Sequence, residues 1–320
     1  MAGYRLERGE RVSDGIKRIV AGEIDAAIRQ LSVSGQDRGA RDEAIHEARK
    51  SVKKIRGALR LMQPEMREIF DLENALFRDI GRHLSQFRDA RAIIEAFDTL
   101  RKKYRADWNG RSLAPIRRRL VARKAQTEKQ ANIEEVLRSM TAALSRSAAR
   151  VGGWPLSNDG FGAIAPGLEA TLLRGQKAMA RARKHARPED YHDWRKRVKE
   201  HWYHTRLLES LWNSGMESYE KNLKELEEAL GEAHNLVVLR ETVLQEPAAF
   251  GQPAELRLFE QAIGQYQEKL RGAALELGGR IYAGKPGHFT RRIKRLWSAW
   301  PSTPAAQENG RPKAAESEPV

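Results

Sequence analysis

Apolar residues recur at intervals of three and four along almost the whole chain, the period of one face of an α-helix. The pattern predicts helices over Val12–Leu31, Ala40–Met62, Glu65–Leu100, Pro115–Arg150, Leu168–Arg183, Tyr191–Trp212, Met216–Leu244, Pro253–Ile281 and Phe289–Trp300. In the second of these, Ile45, Ala48, Val52, Ile55, Leu59 and Met62 share one side; in the third, Leu72, Leu76, Ile80, Leu84 and Phe87 do. Ser13 or Asp14 stands where the first helix needs a cap, and Pro64 ends or kinks the second. Alternating β-branched runs are scarce, so the expected class is all-α. The densest run of breakers, GGWPLSNDGFGAIAPG, makes 151–167 the expected linker between two helical bundles, 13–150 and 168–300, after a short N-terminal segment, 1–12. The stretch 301–320 is rich in Pro, Ala and Glu, has no period, and reads as a disordered tail.

The polar side of the second helix changes this picture. In IHEARKSVKKIRGALRLM, residues 45–62, Arg49, Lys50, Lys53, Gly57 and Arg60 fall within roughly 60° of His46 at about 100° per residue, with Lys54 and Arg56 on the flanks. Only Glu47 offsets them. Ordinary solvated faces mix signs at helical pair spacing, so this face is a cationic strip suited to an anion. The strip recurs in YHDWRKRVKEHWYHTRLL, residues 191–208. His192, Arg195, Lys196, Lys199 and Arg206 stand 146 residues after His46, Arg49, Lys50, Lys53 and Arg60. The helix after each strip keeps the same offset, with Leu84 matched by Leu230. A constant offset across two helices indicates a duplicated unit. It predicts a pair of four-helix bundles in pseudo-twofold relation, with the two strips facing one cleft.

Composition narrows the partner. The 320 residues include 58 Lys and Arg against 43 Asp and Glu, a formal charge of +15. Such a charge implies nucleic acid, an acidic membrane surface or a smaller polyanion. No cysteine is present, which excludes a disulfide scaffold and thiolate zinc sites. No apolar run reaches the length of a membrane span and MAGYRLERGERVSDG is no secretory signal, so a cytoplasmic protein without membrane contact is expected. No Walker A, G-x-S-x-G or H-E-x-x-H motif occurs, and no catalysis, cofactor or metal is expected. Nucleic acid remains a competitor on charge, yet zinc-finger spacing, RNP sequence, KH loop and a row of aromatics for stacking are all lacking. Weak, salt-dependent nucleic-acid binding is expected of any binder of phosphates. A scaffold protein with only incidental polyanion binding is the third reading.

The repeated HxxRKxVK pattern, HEARKSVKKIR with HDWRKRVKEHW and supported by GRHLSQFRDAR, resembles the CHAD family, the conserved-histidine α-helical domain. The resemblance spans about residues 13–300. It implies two four-helix bundles around a basic surface and non-catalytic binding of inorganic polyphosphate, in some members on polyphosphate granules. By position it implies a ligand face of His46, Arg49, Lys50, Lys53, Arg56 and Arg60, with Arg78, Arg82 and Arg88 from the next helix. In the second half it implies His192, Arg195, Lys196, Lys199 and Arg206, with Lys224 and His234. The second unit departs from the first where Glu200 stands for Lys54, Glu228 for Arg82, and His234–Asn235 for Arg88–Asp89. Arg offers a rigid fork for phosphoryl oxygens and Lys a mobile point charge. Asp89 is expected to orient an arginine, either Arg82 or one on another helix. Cationic neighbours should disfavour protonation of His46 and His192, and a bound polyanion should reverse this.

Overall fold

The computed structural model describes residues 3–33, 38–108, 113–130, 132–211 and 214–300, and among these every regular element is helical. The expected tail, 301–320, lies outside the described residues. The chain runs through α1 (Val12–Val33), α2 (Arg38–Leu61), α3 (Gln63–Met66), α4 (Glu68–Lys103), α5 (Ala114–Gln130), α6 (Ile133–Val151), α7 (Phe161–His185), α8 (Pro188–Leu207), α9 (Ser214–Gln245), α10 (Pro247–Phe250), α11 (Pro253–Ile281) and α12 (Pro286–Ala299). Short 3-10 turns follow α4 and α8 at Arg105–Trp108 and Glu209–Leu211.

The apolar stripe of α2 is buried along its whole length, from Ile45 through Leu59, and continues into Met62 just beyond the helix. Pro64 does not kink α2. It sits in the first turn of α3, where a missing N–H costs nothing, and Arg67, at a φ of 40°, turns the chain into α4. On α4 the buried stripe is Phe70, Phe77, Ile80, Leu84 and Phe87, whereas Leu72 is 65% exposed. The expected helix over Pro115–Arg150 is two helices. Asn132 caps α6, its side-chain oxygen accepting the Glu135 N–H, and Glu135 takes a hydrogen bond in return from the Asn132 amide. The expected linker is shorter than 151–167: α7 begins at Phe161 and carries Pro166 inside it. Gly167 explains why this helix must pass close to α2, since a Cβ there would stand 2.0 Å from the Leu61 carbonyl oxygen.

Helices α1, α2, α4 and α6 pack together, as do α7, α8, α9 and α11. The two groups do not keep separate cores. One buried cluster unites Ile16, Ile55, Leu59 and Leu144 with Tyr203 and Leu207. Another joins Phe97, Leu100 and Tyr104 to Leu239, Phe259 and Tyr266, with Phe97 and Phe259 rings 6.4 Å apart. A third surrounds Trp194, Val198, Leu226 and Ala274. The shared core follows from length. α4 and α9 have 36 and 32 residues, which at 1.5 Å per residue is about 50 Å. Their C-terminal halves outrun their own groups and cover each other. α2 also packs on α8, so the two cationic strips belong to neighbouring helices.

Candidate anion-binding site

Where α2 meets α8, position 57 must be small. A Cβ on Gly57 would lie 2.8 Å from the Tyr203 Cβ and 3.1 Å from the Tyr4 hydroxyl. Tyr203 stands 146 residues after Gly57, so the helices touch at matching points of the repeat. The contact is fastened by His204, whose Nε2 donates to the Gly57 carbonyl at 2.9 Å while Nδ1 meets Thr171 Oγ1 at 3.2 Å. Burial pushes the His204 imidazole down to about 4, leaving it neutral.

Beside this contact opens a cavity of ≈190 Å³, lined by Lys53, Arg56, Gly57 and Arg60 of α2 and by Arg195, Lys196, Arg197, Lys199, Glu200 and Tyr203 of α8. Seven of these residues are cationic and one is a carboxylate. Lys196 is paired with Asp193 at 2.9 Å and Lys199 with Glu227 at 2.6 Å. Glu200 collects Arg174 at 2.7 Å, Arg197 at 2.9 Å and Arg60 at 3.8 Å. Lys53, Arg56 and Arg195 make no ion pair with a carboxylate among the described residues. Arg56 donates only to Asn74 Oδ1, at 3.2 Å, and the Nε of Arg195 is buried without a partner.

Gathering like charges under partial burial is unfavourable, and the titration shifts show it. Burial, then Lys199, Arg49 and Arg195, hold the Lys53 ammonium well below its ordinary 10.5. Burial, then Arg60 and Arg78, pulls Arg56 down to about 10. Glu200 is pushed up by burial, but Arg60, His204, Arg174 and Arg197 outweigh this and hold its carboxyl below the usual value. The folded chain therefore carries electrostatic strain of the sign that an anion in the cavity would relieve.

Six of the residues expected at the ligand face meet in this cavity: Lys53, Arg56, Arg60, Arg195, Lys196 and Lys199. The others are placed around or away from it. Arg49 is clamped by Ser85 Oγ at 2.8 Å and Asp89 at 3.4 Å, so Asp89 orients Arg49 and not Arg82. Lys50 pairs with Glu47 at 2.8 Å, and His46 lies 4.0 Å from the same carboxylate. Arg78 and Arg82 share Asp79 on the surface, within reach of the field at Arg56. The Arg88 side chain lies outside the described residues. His192 stacks on His234 with ring centroids 4.3 Å apart, and neither lines the cavity. Burial, then Lys196 and Arg195, lowers His192; burial, then Arg195, pushes His234 down to about 3. Arg206 turns away to cover Trp202 and Tyr4, and Lys224 forms an exposed pair with Glu228 at 3.7 Å. Trp194 is fully buried, as core packing requires.

Sequence reasoning did not single out Arg197, Arg174 or the role of Glu200. Arg197 matches Ser51 in the first unit, so the repeat gave it no weight. Arg174 comes from α7, which carries no strip. Among the described residues no group of three or more His, Asp or Glu could hold a metal ion, and no helix is long and apolar enough to cross a membrane.

The family model for the CHAD domain matches residues 23–244. The chain belongs to the CHAD domain family. The match begins within α1 and ends at the close of α9, narrower than the span of about 13–300 given to the resemblance. The fold agrees with a solved structure described as the CHAD domain from the plant Ricinus communis, with a TM-score of 0.59 at 20% identity, covering 88% of this chain and 96% of that one. No curated protein matches the chain. In this CHAD chain the two motif helices, α2 and α8, are the walls of the basic cavity.

Proposed function

We propose that this CHAD protein binds inorganic polyphosphate without catalysis, at the cavity between α2 and α8 and along the cationic strips that lead to it. The observation that carries the reading is the set of three cations, Lys53, Arg56 and Arg195, held in one concave site without carboxylate partners. Arg56 and Arg60 supply planar forks and Lys53 a mobile point charge, the mixture that suits phosphoryl oxygens in several orientations. Arg49, Lys50, Arg78 and Arg82 extend the positive surface on the α2 side, so a long chain engages many weak contacts at once. The duplicated, pseudo-twofold pairing of bundles belongs to this proposal, since it places matching strips on one groove. So does association with polyphosphate granules, for which a groove filled by one polymer is the means of attachment.

Nucleic acid is the weaker reading. The cavity admits phosphate but offers no aromatic platform for bases: Tyr203 is buried in the helix contact, and Trp202 is covered by Arg206. Titration of polyphosphates of defined length at fixed salt, beside orthophosphate and single- and double-stranded nucleic acid, tests the proposal. Affinity should rise steeply with chain length and exceed that for nucleic acid. Equal affinity for orthophosphate and a long chain defeats it.

A further inference from the structure

The cavity holds one amine unlike the other lysines around it. Lys54 is tied to Glu23 at 2.7 Å, Lys199 to Glu227 at 2.6 Å, Lys50 to Glu47 at 2.8 Å and Lys196 to Asp193 at 2.9 Å. Each of these amines is engaged by a carboxylate. Lys53 lines the cavity, is half-buried, and makes no ion pair among the described residues. Arg56, Arg60 and Arg195 line the same cavity.

We propose that Lys53 is an acylation site, modified directly by small acyl phosphates that dock their phosphate group against Arg56, Arg60 and Arg195. The inference rests on the reading of the cavity as a phosphate site and adds a chemical consequence to it. At ≈190 Å³ the cavity has room for about six waters at ~30 Å³ each, enough for one phosphate group and a short acyl arm. With the phosphate held by the arginines, the neighbouring carbonyl carbon comes within reach of the Lys53 amine. The nitrogen lone pair forms the new C–N bond. The acyl C–O bond breaks, and inorganic phosphate leaves with its electron pair, stabilised by the same guanidinium groups. The surplus proton on nitrogen passes to the departing phosphate or to water, and no oxidant or further reactant is required. Burial and the adjacent cations Lys199, Arg49 and Arg195 lower the Lys53 ammonium in the free protein, which raises the share of free amine that an acyl phosphate meets as it enters. The product amide removes one positive charge from the cavity and fills part of it, so acylation should weaken anion binding.

The full chain is incubated with acetyl phosphate, and acetyl occupancy at each lysine is followed over time by peptide mass spectrometry. Lys53 should be labelled at least about tenfold faster than Lys54, Lys199 and the exposed Lys221, as expected for a free amine beside a docked phosphate. Tripolyphosphate should suppress labelling at Lys53 and leave Lys221 unchanged, and acetic anhydride, which has no phosphate, should lose the selectivity. Labelling of Lys53 no faster than Lys221 overturns the inference. Selective labelling that neither tripolyphosphate nor orthophosphate suppresses also overturns it, because docking through phosphate is then excluded. Polyphosphate binding is measured on the same sample. Binding without selective acylation sinks this inference alone, whereas selective acylation suppressed by orthophosphate but not by long chains sinks the polyphosphate reading alone.

Discussion

Glu200 is the carboxylate in a wall of cations, and replacing it by glutamine separates stability from binding. Its side chain is 5% exposed and gathers Arg174, Arg197 and Arg60. Removing one partner from a buried charge cluster costs about 3 kcal/mol or more, because the remaining charges lose their compensation. The same change deletes a negative charge from the cavity. For a phosphate charge about 6 Å away, the repulsion removed is about 3 kcal/mol at an effective dielectric of ~20 and about 0.7 kcal/mol at ~80. Affinity for polyphosphate should therefore rise roughly three- to hundredfold at low salt. The Glu200→Gln protein should be less stable alone yet gain more from ligand, since stabilisation grows as the logarithm of ligand concentration over Kd. Denaturant unfolding followed by circular dichroism, with and without polyphosphate, reads both effects. A variant that loses stability but binds no more tightly shows that the ligand lies outside this cavity. One that keeps wild-type stability refutes the role assigned to the arginine cluster.

Changing Lys53, Arg195 and Lys199 together to Ala should lower polyphosphate affinity at least about a hundredfold in a low-salt titration. The triple change at Arg117–Arg119 should lower it far less, because Arg117 and Arg119 are engaged by Asp98 and Glu246 on a different surface. Lys53 also sets a pH dependence in place of the one expected from His46 and His192, which do not line the cavity. Its ammonium is lowered in the free protein and a bound anion favours it, so binding takes up a proton above the depressed value. Affinity should fall as pH rises from that value toward 10.5, and Lys53→Arg should flatten the profile; an unchanged slope by calorimetry counts against Lys53. For folding itself, His201 is buried between the hydroxyls of Tyr219 and Tyr282 and pushed down to about 3. The unfolded chain binds this proton first, so stability should drop as pH falls from 6.5 toward about 3, by several kcal/mol at most. His201→Phe should be less sensitive to acid in that window, and equal acid sensitivity in both proteins refutes the assignment.

Much of this molecule was legible in one dimension, because helical periodicity and charge sign are local properties. The stripe from Ile45 to Met62 is buried as its spacing requires, and the two cationic strips of α2 and α8 together supplied six of the cavity's residues. Periodicity misses the Asn132 cap and reads Pro115–Arg150 as one helix, because the helix formers on either side mask the break. Leu72 shows the limit of periodicity. It fits the stripe with Leu76 and Ile80, yet the helix is phased by Phe70 and Phe77, whose larger apolar surface gains more from burial.

What tertiary structure alone decided was which charges keep a partner. Nothing in the spacing distinguishes Arg49 from Arg195, its counterpart in the repeat. Arg49 meets Ser85 and Asp89 on α4, while the matching positions on α9 are Gly231 and Asn235, which bring no carboxylate. Nor does the sequence of α8 reveal that Glu200 would bind Arg60 of α2 and Arg174 of α7, since these pairings cross 140 and 26 residues of chain. The local pattern specifies helices and the sign of their faces through side-chain periodicity. The position of each counterion depends on how closely α2, α7, α8 and α9 approach, and that is governed by Gly57, Gly167 and the packing of residues far apart in the chain.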